Sequence, residues 1–267
     1  MWPQERMVRA YDRAMRKHAR YYDHSGYYNF GYWSEQTRTQ KEACENLVEM
    51  LLDRIPEKRG AILDVACGLG ATTRHLLNYY DPKDVVAINI SDAQLACAQQ
   101  YAPGCTFQIM DAARLDLPDA SVENVICVEA AFHFETRDRF LREVHRVLKP
   151  GGHLVLSDIL FRTVFRPIAK FMQVPRANLI SDPQLYAGRL ADAGFEHVRV
   201  DEETRSSLSE FRHYIVRWPG KEWQAGRMSL RSCIKATLVC WAISTCFGVI
   251  IKHYLVASAR KRFDRIV

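Results

Sequence analysis

An α/β fold, built on a doubly wound and mostly parallel sheet, is what three features of this 267-residue chain predict. Apolar runs of strand length alternate with amphipathic helical stretches between about residues 61 and 159, the rhythm of strand–helix–strand units. The first run, residues 61–66, is apolar except for Asp64, as suits a strand covered on both faces. It ends in a turn, Cys67-Gly68-Leu69-Gly70, that opens a helix. Ligands of such sheets sit outside the carboxyl ends of the strands.

In chain order, residues 2–21 show a helical pattern, with Met7, Ala10, Tyr11, Ala14 and Met15 on one stripe. Residues 21–33 are crowded with aromatics and broken into turns by Gly26 and Gly31, which suits a mobile lid over a ligand. A helix is expected over 35–55, burying Leu47, Val48, Leu51 and Leu52. After the first strand come a helix over about 72–80 and a strand over 84–90. Ser91 and Gln94 then form a capping box for the next helix. Strands follow over 105–110, 122–128 and 153–159. A helix over 137–148 places Phe140, Leu141, Val144, Val147 and Leu148 on one face, and Lys149-Pro150-Gly151-Gly152 ends it.

Residues 160–180, with Phe161, Val164, Phe165, Ile168, Phe171 and Met172, read as an amphipathic cover over that edge. Asp182 and Pro183 open a helix that Gly194 closes, before a strand over 195–203. Residues 236–251 carry no charge, but they fall short of the roughly 20 residues a membrane span needs. Gly248 interrupts them, giving a helix over about 229–246 and a last strand over 250–259. The organisation is one core, residues 57–267, behind amino-terminal helices and the aromatic lid, residues 1–56. Residues 160–180 and 205–248 cover the substrate.

The turn after the first strand carries the chemistry. Gly68 and Gly70 permit backbone angles closed to other residues and let a ligand approach the main chain. The following helix points free amide hydrogens at it. A dinucleotide site would have G-x-G-x-x-G with no carboxylate leading the turn, whereas here the pattern is D-x-x-x-G-x-G with Thr73 at the third glycine position. No Gly-Lys-Ser or Gly-Lys-Thr follows, which excludes a Walker loop. Asp64 would repel a pyrophosphate but would accept hydrogen bonds from an ammonium group. A ligand with adenosine at one end and an amino acid at the other fits, and that describes S-adenosylmethionine. Asn89 ends the second strand 21 positions past Gly68, where a ribose-binding acid is expected. Its amide oxygen can accept from a ribose hydroxyl. Asp111, at the end of the third strand, could accept from an adenine amino group.

Composition is that of a soluble globular protein, 48% hydrophobic and 25% charged. The net charge of +6 is concentrated in residues 200–267, with twelve Lys/Arg against six Asp/Glu. Such a tail could meet an anionic substrate, a membrane surface or nucleic acid. Eight cysteines show no C-x-x-C pair, and the amino terminus lacks an apolar signal-like segment, so a reducing cytosol is expected. The nine histidines lack ligand spacing, so no metal site is expected.

Four stretches carry a resemblance: Asp64-Val-Ala-Cys-Gly-Leu-Gly70, Ala87-Ile-Asn-Ile-Ser91, Asp111-Ala-Ala-Arg-Leu-Asp-Leu-Pro118 and Arg146-Val-Leu-Lys-Pro-Gly-Gly152. Together they resemble class I S-adenosylmethionine-dependent methyltransferases, nearest to the small-molecule branch of ubiquinone/menaquinone-type, sarcosine-type and natural-product O-methyltransferases. The resemblance implies a Rossmann-like sheet of seven strands with an antiparallel last strand. It implies Asp64, Ala66, Gly68 and Gly70 at the methionine moiety, Asn89 and Ile90 at the ribose with Gln94 nearby, and Asp111 and Ala112 at the adenine. Glu129 would lie beside the sulfonium, under an aromatic lid of Tyr22, Tyr28, Tyr32 and Trp33. Asn89 departs from the usual acid. The Asn-Pro-Pro-Tyr loop of nucleic-acid and protein-glutamine methyltransferases is replaced by residues 129–134, which speaks against a nucleic-acid partner.

Three functions are then open. The first is O-methylation of a hydrophobic small molecule, with His133 just beyond the fourth strand as general base. The second is carbon or nitrogen methylation of an isoprenoid or lipid, with peripheral membrane contact through the basic, apolar carboxyl-terminal region. The third is a non-methylating cyclase or binding protein that retains the pocket. The oligomeric state is left open.

Overall fold

The computed structural model describes residues 8–9 and 19–263, without the side chains of 168–172. Seven strands form one sheet: β1 (Ile62–Val65), β2 (Val85–Asn89), β3 (Thr106–Ile109), β4 (Val122–Val128), β5 (Leu148–Phe161), β6 (Phe195–Glu202) and β7 (Ile251–Lys261). Their order is β3-β2-β1-β4-β5-β7-β6. β1 pairs in parallel with both β2 and β4, and all four of its residues are buried, which is why the run is apolar. The strand order reverses between β1 and β4, leaving a crevice at their carboxyl ends. β7 is inserted between β5 and β6 and runs antiparallel to both.

Among the described residues the sheet is flanked by the α-helices α1 (Gln40–Leu52), α2 (Ala71–Leu76), α3 (Asp92–Tyr101), α4 (Arg137–Val147), α5 (Pro183–Asp192), α6 (Glu210–Gln224) and α7 (Leu230–Ile250). On one face Leu47, Val48, Leu51 and Leu52 of α1 pack with Ile62, Ile126, Val155 and Val256, and Phe211 and Ile215 of α6 join the same cluster. On the other, Phe140, Leu141, Val144 and Val147 of α4 meet Leu63, Val125, Leu154 and Leu156, beside Tyr186 and Leu190 of α5.

Several boundaries differ from the sequence expectation for local reasons. The pattern over 2–21 lies largely outside the described residues, of which Val8 and Arg9 are helical and Ala19–Tyr22 form a 3-10 turn. α1 starts at Gln40 rather than 35, since Thr39 and Glu42 form a capping box there. Ahead of it, Ser34 N–H donates to the Thr37 hydroxyl at 2.9 Å, closing a turn. α2 has six residues. β5 begins at Leu148, opposite Val122, and recovers its register at His153 opposite Asn124. The cover over 160–180 is two 3-10 segments, Thr163–Met172 (containing Pro167) and Arg176–Asn178. Gly248 does not interrupt α7: it faces α6, where any side chain would overlap the Arg212 guanidinium, and Arg212 Nε donates to the Ser244 carbonyl at 2.7 Å.

Gly70 has φ 89°, and a Cβ there would lie 2.7 Å from the Ala98 Cα of α3. Gly70→Ala is therefore expected to cost at least about 1–2 kcal/mol from backbone strain alone, with the clash in addition. Thermal unfolding should show a melting point lower by several degrees.

Candidate active site

The carboxyl ends of β1, β2, β3 and β4 open into a cavity of about 1120 Å³. Its floor is the turn after β1, where Ala66 (φ 59°), Gly68 (φ 57°) and Gly70 (φ 89°) are all left-handed. Ala66 is strained in that region, and it is held by Cys67 N–H donating to the Ile88 carbonyl at 3.0 Å and Gly70 N–H donating to the Cys67 carbonyl at 2.9 Å. Ala66 and Gly68 line the cavity. Gly70 does not; it lets α2 start close against α3.

Asp64 is 1% exposed and lines this floor. The Thr73 hydroxyl donates to its Oδ2 at 2.6 Å, so the residue standing at the third glycine position serves the acid. Burial pushes the Asp64 carboxyl up to about 7, only partly countered by that bond. Glu129, in the cavity wall at the end of β4, is also left-handed (φ 51°). Its amide donates to the Ser157 carbonyl at 3.0 Å, while its Oε2 accepts from Phe30 N–H at 2.9 Å. Removal from bulk water pushes its carboxyl up to about 8. Two carboxyls held up in one cavity are the electrostatic complement of a ligand that carries positive charge.

Asn89 lines the cavity with its amide oxygen turned inward, accepting from the amides of Ile90 (2.7 Å) and Ser91 (3.4 Å). That oxygen therefore also shapes its own turn, at the place in the cavity wall where the ribose is expected. The Asn89 Nδ2 donates to Gln94 Oε1 at 2.9 Å, and Ser91 Oγ accepts from Gln94 N–H at 3.3 Å. Asp111 and Ala112 line the far side, Asp111 Oδ1 accepting from Ala113 N–H at 2.9 Å. Ile90 and Gln94 also line the cavity.

The aromatic segment is divided. Tyr28 lines the cavity. Tyr22 sits behind it, 4.6 Å from the Tyr28 ring and 5.6 Å from Phe211. Tyr32 and Trp33 do not line it; Trp33 packs against Tyr214 at 5.2 Å, and the Tyr32 amide donates to the Ala43 carbonyl at 2.7 Å. The segment is tied into the fold on both sides. Gln40 Nε2 donates to the Asn29 carbonyl at 2.8 Å, and Asp23 accepts from Gln40 N–H and the Tyr214 hydroxyl, both at 2.9 Å. Tyr27 and Asn29, in this same segment, line the cavity and were missed, since an aromatic run does not reveal which members face inward. Residues 205–248, expected as a substrate cover, contribute no cavity-lining residue among those described.

His133 lines the cavity, with its ring centroid 4.0 Å from that of Phe132. Its Nδ1 lies 3.0 Å from the Gln173 carbonyl. A carbonyl only accepts, so Nδ1 carries the proton and Nε2 the basic lone pair. Burial pulls the ring down to about 4, leaving it neutral at neutral pH. The backbone on either side is pinned by Asn178, whose Nδ2 donates to the carbonyls of Phe132 (3.2 Å) and Phe134 (2.7 Å). Asn178 in turn holds Arg137, accepting its amide at 2.9 Å and, at its own carbonyl, the guanidinium. Arg137 pairs with fully buried Asp158 at 2.6 Å, and Tyr186 donates to the same carboxylate at 2.9 Å. Among the described residues no group of three His, Cys, Asp or Glu stands together in a way that could hold a metal.

A doubly wound sheet of this order, with a buried acid and a glycine turn at its switch point, defines an enzyme that takes a nucleoside-linked amino-acid donor. Residues 63–156 match the family described as a methyltransferase domain. The 27-O-demethylrifamycin SV methyltransferase of Amycolatopsis mediterranei is 34% identical over 209 residues, covering 73% of this chain and 76% of that protein. Among solved structures, a putative sarcosine dimethylglycine methyltransferase from Galdieria sulphuraria superposes with a TM-score of 0.73 at 18% identity, covering 92% of this chain and 98% of that one. The [4+2]-cyclase SpnF superposes with a TM-score of 0.72 at 20% identity, covering 97% and 96%. The chain belongs to the S-adenosylmethionine-dependent methyltransferases and acts on a small molecule. Its cofactor is S-adenosylmethionine.

Proposed function

We propose that the enzyme methylates a hydroxyl of a hydrophobic small molecule in the cytosol, with His133 as general base. Bound S-adenosylmethionine supplies an electrophilic methyl group on a sulfonium. Asp64, Ala66 and Gly68 would hold its methionine end, Asn89, Ile90 and Gln94 the ribose side, Asp111 and Ala112 the adenine, and Glu129 the neighbourhood of the positive charge. Methyl transfer is an in-line displacement, so much of the acceleration comes from orienting the acceptor in a site closed to water. Val128, Phe134 and Val174 supply apolar wall on the acceptor side. The observation that carries the hydroxyl reading is that His133, whose Nδ1 lies 3.0 Å from the Gln173 carbonyl, stands in the wall of the same cavity as the donor-site residues.

The test begins with labelled donor and fractionated cell extract to find the acceptor. With that acceptor, His133→Ala is expected to lower kcat by about 10²–10⁴ while donor affinity stays close to wild type. Unchanged turnover would remove the base and favour carbon or nitrogen methylation of an isoprenoid or lipid. The exposed apolar face of α7 supports that second reading.

A further inference from the structure

α7 buries only a thin seam. Ala236, Cys240 and Ser244 go inward, while Leu230, Ile234, Leu238, Val239, Trp241 and Val249 are each 50–66% exposed. Residues 230, 234, 238 and 241 follow one another at helical spacing and form a continuous apolar stripe. Beside it, at 231 and 235, stand the exposed cations Arg231 and Lys235. α7 contains no Asp or Glu. Lys221 and Arg227 add two cations in the approach to the helix, against the single anion Glu222, which Arg227 holds at 2.7 Å.

We infer that α7 is a docking face for a bilayer that carries anionic lipids, lying in the plane of the headgroups with Leu238 and Trp241 inserted. An apolar stripe that includes tryptophan, with cations beside it, is the pattern of an interfacial helix. A second copy of the chain would bring the same cations with no acid on the helix to pair them. The helix has the length and composition of a membrane span. It does not act as one here, because its inner seam is bonded to α6 through Arg212 and the helix runs straight into β7, which is paired on both sides in the sheet. The same face is what favours the second reading of the acceptor, but the test reads membrane binding alone and holds whichever atom is methylated. It gives an enzyme for an apolar acceptor a place on the surface into which such acceptors partition.

The experiment is flotation of the full-length protein with vesicles of phosphatidylcholine alone or mixed with phosphatidylglycerol. The protein is expected to float with the mixed vesicles and to stay behind with the neutral ones or in high salt. Leu238→Ser/Trp241→Ser should abolish flotation with no change in donor binding or melting point. Arg231→Gln/Lys235→Gln should weaken it by about 10- to 30-fold. Flotation that ignores lipid charge, or that survives both variants, overturns the inference. So does a dimer that Leu238→Ser/Trp241→Ser dissociates while neither vesicle binds.

Discussion

Replacing Asp158 with alanine is expected to lower the stability of the protein by about 3–5 kcal/mol, read as a fall in melting temperature of about 10 °C. The carboxylate is the counter-charge of Arg137, which is fully buried and donates Nε to it at 2.6 Å. Without the acid the guanidinium keeps its bonds to the Ile159 and Asn178 carbonyls, but its charge is uncompensated inside the protein. The Tyr186 hydroxyl loses its acceptor as well. A double variant, Arg137→Met/Asp158→Leu, removes both charges and should regain most of the loss, because a buried pair is costly chiefly when broken on one side. Chemical denaturation of the single and double variants measures this. Equal destabilisation of both would show that geometry, not charge, is what the pair supplies. The double variant should still be impaired in turnover, since Asn178 then lacks the guanidinium that orients it toward the backbone around His133.

Donor affinity is expected to rise as pH is raised from about 6 to about 8, by as much as tenfold per unit for each proton released. The Asp64 carboxyl sits at about 7 and that of Glu129 at about 8, so below these values each is protonated and neutral. A ligand with an ammonium and a sulfonium favours the ionised forms, and its binding must expel those protons. S-adenosylhomocysteine keeps the ammonium but lacks the sulfonium. The affinity ratio of donor to product should therefore grow with pH in the wild type and stay flat in Glu129→Gln. Asp64→Asn should weaken both ligands by about 10- to 100-fold, the worth of hydrogen bonds to a charged group. Calorimetry in buffers of different ionisation heat reads the proton count directly, and a count of zero with no pH dependence would falsify the pairing. Without ligand, these two groups make the protein less stable as pH climbs from about 4 through 8. Each holds a proton in the fold that it would release in the unfolded chain over that window.

Most of the architecture could be read from residues alone because each βα unit is a local pattern. The buried run around Asp64, the left-handed turn at Gly68 and the Ser91 cap are decided within a few neighbours. What could not be read depends on distant partners. Arg137, Asp158, Asn178 and Tyr186 meet from positions spread over a long stretch of chain, Arg137 and Asn178 bonding across 41 positions, and no periodicity marks them as a set. Gly248 looks like a helix breaker until Arg212 is seen lying across it. Tyr28 and Trp33 are alike in composition and five residues apart, yet one faces the cavity and the other the α6 face, because turns at Gly26 and Gly31 redirect the chain between and around them. That the Asn89 oxygen also accepts from two successive amides belongs to a turn whose shape is seen only once folded.

The bond from Tyr214 to Asp23 joins residues 191 positions apart, and Asp23 in turn steadies the Gln40 end that carries Asn29. A nascent chain still emerging from the ribosome can assemble the floor of the pocket from its first half. It cannot secure the wall until α6 has been synthesised. Donor capture is thereby expected to wait for α6, and a ribosome-bound chain truncated before Glu210 should bind the nucleoside weakly even with every motif residue present.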